Sequence, residues 1–330
     1  MARRSWLRPA EANPVQPDVS FVIAAYNAED TIGRAIESAL AQRGVSVEVI
    51  VADDRSTDRT AAVAASYPAD QVHVVTLAKN SGPGGARNAA LGLAKGRWIA
   101  VLDADDAVLA DRMARMIARA EKAGAQATVD NIEVVREGEA RGEPMFPPER
   151  LERIEEITLA DFIGSNLIFK STFNFGYMKP IFARDFIEAH GLRYDEDLRI
   201  GEDYIFLASI LAKGGKLIVE PSVGYAYHIR SGSISRVLEL HHIDSMLEAD
   251  RTFLKQFELD DEAKAAQARR TRSLEEARSF VALVGHIKQR SFKEIVKVAL
   301  QDPLALRHLS MPIAVRLKRL MPSAASQRPG

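Results

Sequence analysis

Between residues 19 and 102 one pattern recurs: a short apolar run, then a stretch whose apolar residues fall at helical spacing. The runs are Val19–Ala25, Val47–Ala52, Val72–Leu77 and Trp98–Leu102. They lack the alternation of a half-exposed strand, so each is expected to be buried on both faces, as in a parallel sheet. The first intervening helix is expected from about Asp30 to Gln42. It carries Ile32, Ala35, Ile36, Ala39 and Leu40, with Gly44 just past its end. Asp58–Ser66 and Ala86–Ala94 supply the next two, the latter stopped at Gly96. Strands and helices alternating at these lengths specify an α/β layer with right-handed crossovers over residues 19 to about 130.

Beyond Asp130 the periodicity loosens. Arg136–Pro148 reads as a loop, Glu202–Ala212 as a helix after the loop Arg193–Gly201, and Lys216–Glu220 and Val223–His228 as short strands. His241 to about Arg290 is mostly helical, and Pro303–Met321 is Leu-rich and basic, with Pro312 interrupting it. Four regions follow: a flexible segment 1–18, the α/β half 19–130, a second half 131–235, and a helical basic extension 236–330.

Composition narrows the class. Among 330 residues there is no cysteine, which excludes disulfides and zinc–thiolate sites and fits a reducing compartment. Residues 1–18 show no signal-peptide pattern, and no apolar stretch approaches the roughly 20 residues needed to cross a bilayer. A cytoplasmic protein is expected, either free or peripheral on the inner membrane face. Lys264–Gly330 holds 14 Lys and Arg against 4 Asp and Glu, whereas the rest of the chain is net acidic. Such asymmetry suits either an anionic surface or the acidic face of the protein itself.

Chemistry-bearing clusters sit where the strands end, the side on which open α/β sheets bind ligands. Ala25-Tyr26-Asn27 follows the first strand without the G-x-G-x-x-G of a dinucleotide fold, which argues against a nicotinamide or flavin enzyme. Asp53-Asp54 follows the second; Asp58 can cap the next helix, and Asp54 can accept from a base N–H or a ribose hydroxyl. In Asn80-Ser81-Gly82-Pro83-Gly84-Gly85-Ala86-Arg87-Asn88 the glycines permit close backbone approach to a ligand. The helix start that follows favours anions, and Arg87 can reach a pyrophosphate or base. Asp103-Ala104-Asp105-Asp106 crowds three carboxylates, unfavourable unless a cation or strong donors compensate. Such oxygen-rich sites select Mg2+ or Mn2+.

Four of these segments in this order resemble the signatures of family 2 glycosyltransferases: VSFVIAAYN, VADDRSTD, NSGPGGARN and VLDADD. The likeness spans about 19–230. It implies the GT-A fold, a Rossmann-like, mostly parallel sheet flanked by helices, here with a helical C-terminal extension. It also implies metal-dependent, inverting transfer of a hexose from a nucleotide diphosphate sugar, a UDP-sugar by likeness. By that resemblance Asp54 binds the nucleobase, and Asp103 and Asp105 bind the ribose and a divalent metal (Mn2+ or Mg2+). Arg87 lies near the nucleotide, and Ala25, Tyr26, Asn27 and Ala104 line it. In Gly201-Glu202-Asp203-Tyr204 the family carries its base, since an acceptor hydroxyl must lose a proton as it attacks; Asp203 takes that role, with Glu202 as competitor. Tyr227–Ser235 resembles the segment that closes over the donor phosphates, where His228 could complete the metal shell or Arg230 pair with phosphate. Phe175–Phe182 and the basic C-terminus resemble a narrower group, bacterial transferases of succinoglycan-type exopolysaccharides. That likeness implies saccharide or polyprenyl-diphosphate-linked acceptors at the inner membrane surface; no nucleic-acid partner is expected.

Two other classes remain. A sugar-nucleotide pyrophosphorylase would need a Gly-rich motif and a Lys after the first strand, where Ala24-Ala25-Tyr26-Asn27 stands. A non-catalytic nucleotide-sugar-binding module would not need the acids at 54, 103, 105 and 203.

Overall fold

The computed structural model describes residues 16–139, 141–170, 173–229 and 238–303, with Leu306. In chain order the elements are β1 (Val19–Ala25), α1 (Ile32–Leu40), β2 (Val47–Asp53), α2 (Thr60–Ala64), β3 (Val72–Thr76), α3 (Gly82–Leu91) and β4 (Trp98–Val101). Next come β5 (Ala107–Val108), α4 (Arg112–Ala123), β6 (Ala127–Arg136), β7 (Glu143–Pro144), α5 (Pro148–Leu151), β8 (Glu156–Ile157) and α6 (Leu159–Ser165). The remainder is β9 (Ile181–Ala183), α7 (Arg184–Ala189), α8 (Glu202–Ala212), β10 (Leu217–Ile229), α9 (Leu240–Gln256), α10 (Asp261–Lys288) and α11 (Phe292–Gln301). The chain divides into two compact units. One comprises residues up to 155, 179–191 and 217–228; the other comprises 156–178, 192–216 and the chain from 229 on.

The first unit holds the sheet, in the order β3-β2-β1-β4-β9-β6-β10-β5, with β7 beside β6. Its first four strands are parallel, as the apolar runs predict: Phe21 sits between Val49 of β2 and Ala100 of β4. Strand β9 then enters antiparallel, with Ile181 opposite Ala100 on one side and Thr128 of β6 on the other. The core packs Phe21, Ile23, Val49 and Val51 against the α1 stripe Ile32, Ala35, Ile36 and Ala39 and the α4 stripe Met113, Met116, Ile117 and Ala120. Burying each of the larger side chains is worth about 1.5–3 kcal/mol. Gly96 does more than end a helix. Its N–H donates to Ser20 Oγ at 2.7 Å, and a Cβ there would lie 2.4 Å from the Ser20 nitrogen.

Three departures from the sequence reading have local causes. Helix α3 begins at Gly82 rather than Ala86, because Asp54 accepts from the Ser81 and Gly82 N–H groups and Pro83 suits a first turn. Strand β6 was hidden by Asp130 and Asn131, which are fully buried. Asp130 pairs with Arg112, and Asn131 exchanges hydrogen bonds with the Phe146 main chain. The two short strands expected after residue 216 are one, β10, running through Pro221.

The second unit is helical. Along α10, Ala263, Ala266, Gln267, Arg270, Leu274, Ala277 and Leu283 are buried at intervals of three, four and multiples thereof. Leu274 and Ala277 meet Ile243, Met246 and Leu247 of α9. The stretch 241–290, expected to be mostly helical, forms two helices separated around Phe257–Asp260, where Asp260 accepts from the Ala263 N–H to cap α10. Of the expected Pro303–Met321 segment, all but Pro303 and Leu306 lies outside the described residues, as do Arg230 and 1–15. No helix among the described residues is long and apolar enough to cross a membrane.

Candidate active site

The sequence-predicted residues of the first unit gather at the carboxyl ends of β1, β2 and β4. Asn27 adopts a left-handed φ of 49°, a conformation Asn tolerates. Its Oδ1 accepts from the Thr57 N–H and hydroxyl at 2.8 and 3.2 Å, and its own N–H donates to Ser56 Oγ at 2.9 Å. Asn27 thus ties the loop after β1 to the loop after β2. Ala25 is buried and its carbonyl accepts from the Asp54 N–H at 2.8 Å; Tyr26 is half exposed.

Asp54 is held in turn. Its two carboxylate oxygens accept from the Ser81 and Gly82 N–H groups at 2.6 and 2.8 Å, and its carbonyl accepts from Asn80 Nδ2 at 3.0 Å. Asp58 is a helix-start residue as its simplest reading expects, accepting from the Thr60 N–H at 2.9 Å. Arg87, buried on α3, reaches across to Asp103 Oδ1 at 2.9 Å.

The Asp103–Asp106 turn resolves its crowding by sending its acids different ways. Asp103 carries Arg87 on Oδ1 and Lys179 Nζ on Oδ2, the latter at 2.7 Å. Burial opposes its ionisation, but Lys179 and Arg87 outweigh that and hold its pKa down at about 2. Asp106 points inward and is fully buried. Its Oδ2 accepts from the Tyr225 hydroxyl and its Oδ1 from the His228 N–H, both at 2.8 Å. Burial first, then the charges of Asp103 and Asp105, push its pKa up to about 8. The Tyr225 oxygen also accepts from the Asp103 N–H at 3.1 Å, so one phenol pins both ends of the turn. Asp105 follows the buried Ala104, and its carbonyl accepts from Arg34. The His228 ring Nδ1 lies 3.1 Å from the Ala226 carbonyl and 4.0 Å from Asp106 Oδ1.

Lys179, Tyr225 and the pair behind them were not found from sequence. Arg112 and Asp130 are both fully buried and joined by two 2.8 Å hydrogen bonds, while Arg112 also donates to the Lys179 carbonyl at 2.5 Å. A signal existed: Arg112 opens a helix whose Met113, Met116 and Ile117 face the core, and Asp130 interrupts an apolar run.

In the second unit, Glu202 and Asp203 open α8, where acids suit the helix macrodipole. Gly201 before them has φ of 95°, a left-handed turn that favours glycine. Glu202 is buried and Asp203 partly so. Tyr204 stacks on Phe162 with ring centroids 5.3 Å apart, and the Arg270 guanidinium lies 3.6 Å from its ring centroid. Arg270 in turn donates to Asp250 at 3.0 Å, as does Gln267 at 2.9 Å. A buried ionic cluster from α9 and α10 thus braces the first turn of α8.

A twisted sheet with a D-x-D turn at the end of a central strand and antiparallel strands beyond it is the GT-A architecture. Two solved structures show the same fold. TarS of S. aureus in complex with UDP-GlcNAc has a TM-score of 0.59 at 18% identity, over 85% of this chain and 90% of that one. The mannosyltransferase PcManGT of Pyrobaculum calidifontis, in complex with GDP-Man and Mn2+, has a TM-score of 0.57 at 18% identity, over 91% and 84%. Residues 20–186 match the Glycosyl transferase family 2 domain. Succinoglycan biosynthesis protein ExoO of Rhizobium meliloti (strain 1021) is 60% identical over 92% of this chain and 87% of that protein; ExoU of the same organism is 34% identical over 93% and 90%. The chain belongs to the family 2 glycosyltransferases.

Proposed function

We propose that this enzyme transfers a hexose, with inversion, from a UDP-sugar to a saccharide or polyprenyl-diphosphate-linked oligosaccharide in exopolysaccharide synthesis. The observation that carries the reading is the Asp103–Asp106 turn, pinned by Tyr225 and flanked by Arg87 and Lys179. The 60% identity to a succinoglycan biosynthesis protein supports the pathway class. The acceptor class draws on WfaP of Escherichia coli, a UDP-Glc:alpha-D-GlcNAc-diphosphoundecaprenol beta-1,3-glucosyltransferase, 30% identical over 66% of this chain and 79% of that protein.

In this reading the half 19–130 binds the donor, with Asp54 at the base, Asp103 at the ribose and Ala25, Tyr26, Asn27 and Ala104 lining the nucleotide, and 131–235 builds the acceptor side. Asp203 takes the acceptor proton as the hydroxyl attacks, with Glu202 as its competitor; Arg87 stabilises the departing diphosphate. The donor set fits a hard divalent ion. Asp103 and Asp105 offer the hard carboxylate oxygens that Mg2+ or Mn2+ takes, commonly one or two carboxylates together with substrate phosphates. Asp105 and Asp103 would hold it, with His228 nearest to complete the shell and Arg230 as a phosphate partner. Bound there, it would neutralise charge on the leaving nucleotide. PcManGT, in complex with GDP-Man and Mn2+, supports this assignment.

A peripheral contact with the inner membrane face belongs to the same reading. Helix α11 leaves Phe292, Val296 and Leu300 exposed at intervals of four beside Lys293 and Lys297, a pattern suited to a membrane surface. The test is to screen nucleotide sugars with Mn2+ or chelator and identify the products. Nucleoside diphosphate release supports transfer; inorganic pyrophosphate would establish a nucleotidyltransferase, and tight donor binding without turnover on any acceptor a binding module.

A further inference from the structure

We propose that Lys179 is a ligand of the donor diphosphate, parked on Asp103 until the donor arrives; this rests on the nucleotide-sugar reading above. Asp103 holds two cations, one on each oxygen: Arg87, buried on α3, and Lys179. The two cations thus flank the first carboxylate of the acidic turn from opposite sides. The two cations differ in kind. Arg87 is fixed in a helix, while Lys179 is a compact charge on a flexible four-carbon stem with three donors, suited to moving from a carboxylate to a nearby phosphate oxygen.

The main chain of Lys179 is held with unusual firmness for a residue outside a strand. Its carbonyl accepts from Arg112, which is fully buried and bidentate on Asp130. Pro180 follows, and Ile181 opens β9, paired on both sides. Because β9 runs antiparallel to β4, with Ile181 opposite Ala100, the residue two before Ile181 comes level with the end of β4, where the acidic turn begins. The topology therefore fixes the base of the side chain at the D-x-D turn and leaves only its tip to move. A diphosphate entering this turn meets Asp103 and Asp105, which repel it, and needs cations placed there beforehand. With Lys179 on the phosphate, Asp103 would be available, with Asp105, to hold a divalent ion.

The test compares UDP with uridine, titrated calorimetrically into the full-length protein and its Lys179→Met and Lys179→Arg variants, in chelator and in Mn2+. Lys179→Met is expected to weaken UDP binding about tenfold to a hundredfold while uridine binding stays within about twofold. Lys179→Arg should recover most of the loss, and the Mn2+ concentration giving half-maximal UDP binding should fall in Lys179→Met, because the ion no longer competes with an ammonium. Equal losses for UDP and uridine would make Lys179 a structural residue and overturn the proposal, as would unchanged UDP affinity. If Lys179→Met fails to fold, Lys179→Gln and Lys179→Arg decide by the same comparison. A wild-type protein that binds neither ligand would instead overturn the nucleotide-sugar reading.

Discussion

The Arg112–Asp130 pair offers the sharpest test of how the site is held. Both side chains are fully buried, joined by two 2.8 Å hydrogen bonds, and the same guanidinium donates to the Lys179 carbonyl. Asp130→Ala strands a guanidinium whose Nη1 already has no hydrogen-bond partner among the described residues. Breaking a buried pair at one end typically costs about 3–5 kcal/mol, whereas replacing both partners by apolar groups of similar volume is often neutral or stabilising. Asp130→Ala and Arg112→Met should therefore each lose about 3–5 kcal/mol, and the double variant Arg112→Met/Asp130→Leu should lose markedly less than their sum. Urea unfolding followed through Trp98, buried on β4, reads the change. Isothermal titration of UDP reads whether the Lys179 loop has shifted in the double variant. A loss below about 1 kcal/mol for Asp130→Ala would show that the pair is solvated in solution, and the reasoning from its burial would fail.

Other outcomes follow from the same geometry. Gly224→Ala should destabilise by about 1–3 kcal/mol in urea, because a Cβ there would lie 2.1 Å from Asp130 Oδ2 and 2.7 Å from Arg112 Cγ. Asp203→Asn should lower turnover by about a hundredfold or more while leaving UDP affinity intact. If Glu202→Gln is the variant that loses turnover instead, the base is Glu202. Asp250→Ala, which strands Arg270 against Tyr204, should lower thermal stability and reduce kcat more than donor KM. The pKa of Asp18 is lowered by the Ser46 N–H and by Arg97. Its contribution should therefore be present above its unfolded pKa near 4 and vanish as the pH falls through the lower folded value. The stability gap between wild type and Asp18→Asn should close over that acid range; a gap independent of pH would contradict the assignment.

The parallel half of the fold was legible because β1, β2 and β4 are buried almost throughout, so their apolar runs carry the message; β3, at the sheet edge, is only partly buried. Val19–Ala25 appears in the structure with the bounds read from sequence. The other half was obscure for a physical reason. Strand β6 spends two of its positions on Asp130 and Asn131, whose burial depends on partners at Arg112 and Phe146 that no local pattern announces. The site divides the same way. Acids placed at strand ends, Asp54, Asp103 and Asp105, could be read from position. Lys179, which lies 76 residues after Asp103, and Tyr225 could be found only once the antiparallel strands were in place. The helix expected from Ala86 starts at Gly82, because its glycines carry no helical signal while the Asp54 carboxylate accepts from the Ser81 and Gly82 N–H groups.

The phenol that pins the acidic turn arrives 122 residues after Asp103 in the chain. Strands β1, β2 and β3 can pair early in synthesis, since each meets a neighbour close in sequence, whereas β4 pairs with the distant β1 and β9 and the turn at its tip waits for Tyr225. The acidic turn is thus pinned late, once β10 is in place, and a ribosome-bound fragment ending before Tyr225 would have the parallel strands with that turn unpinned.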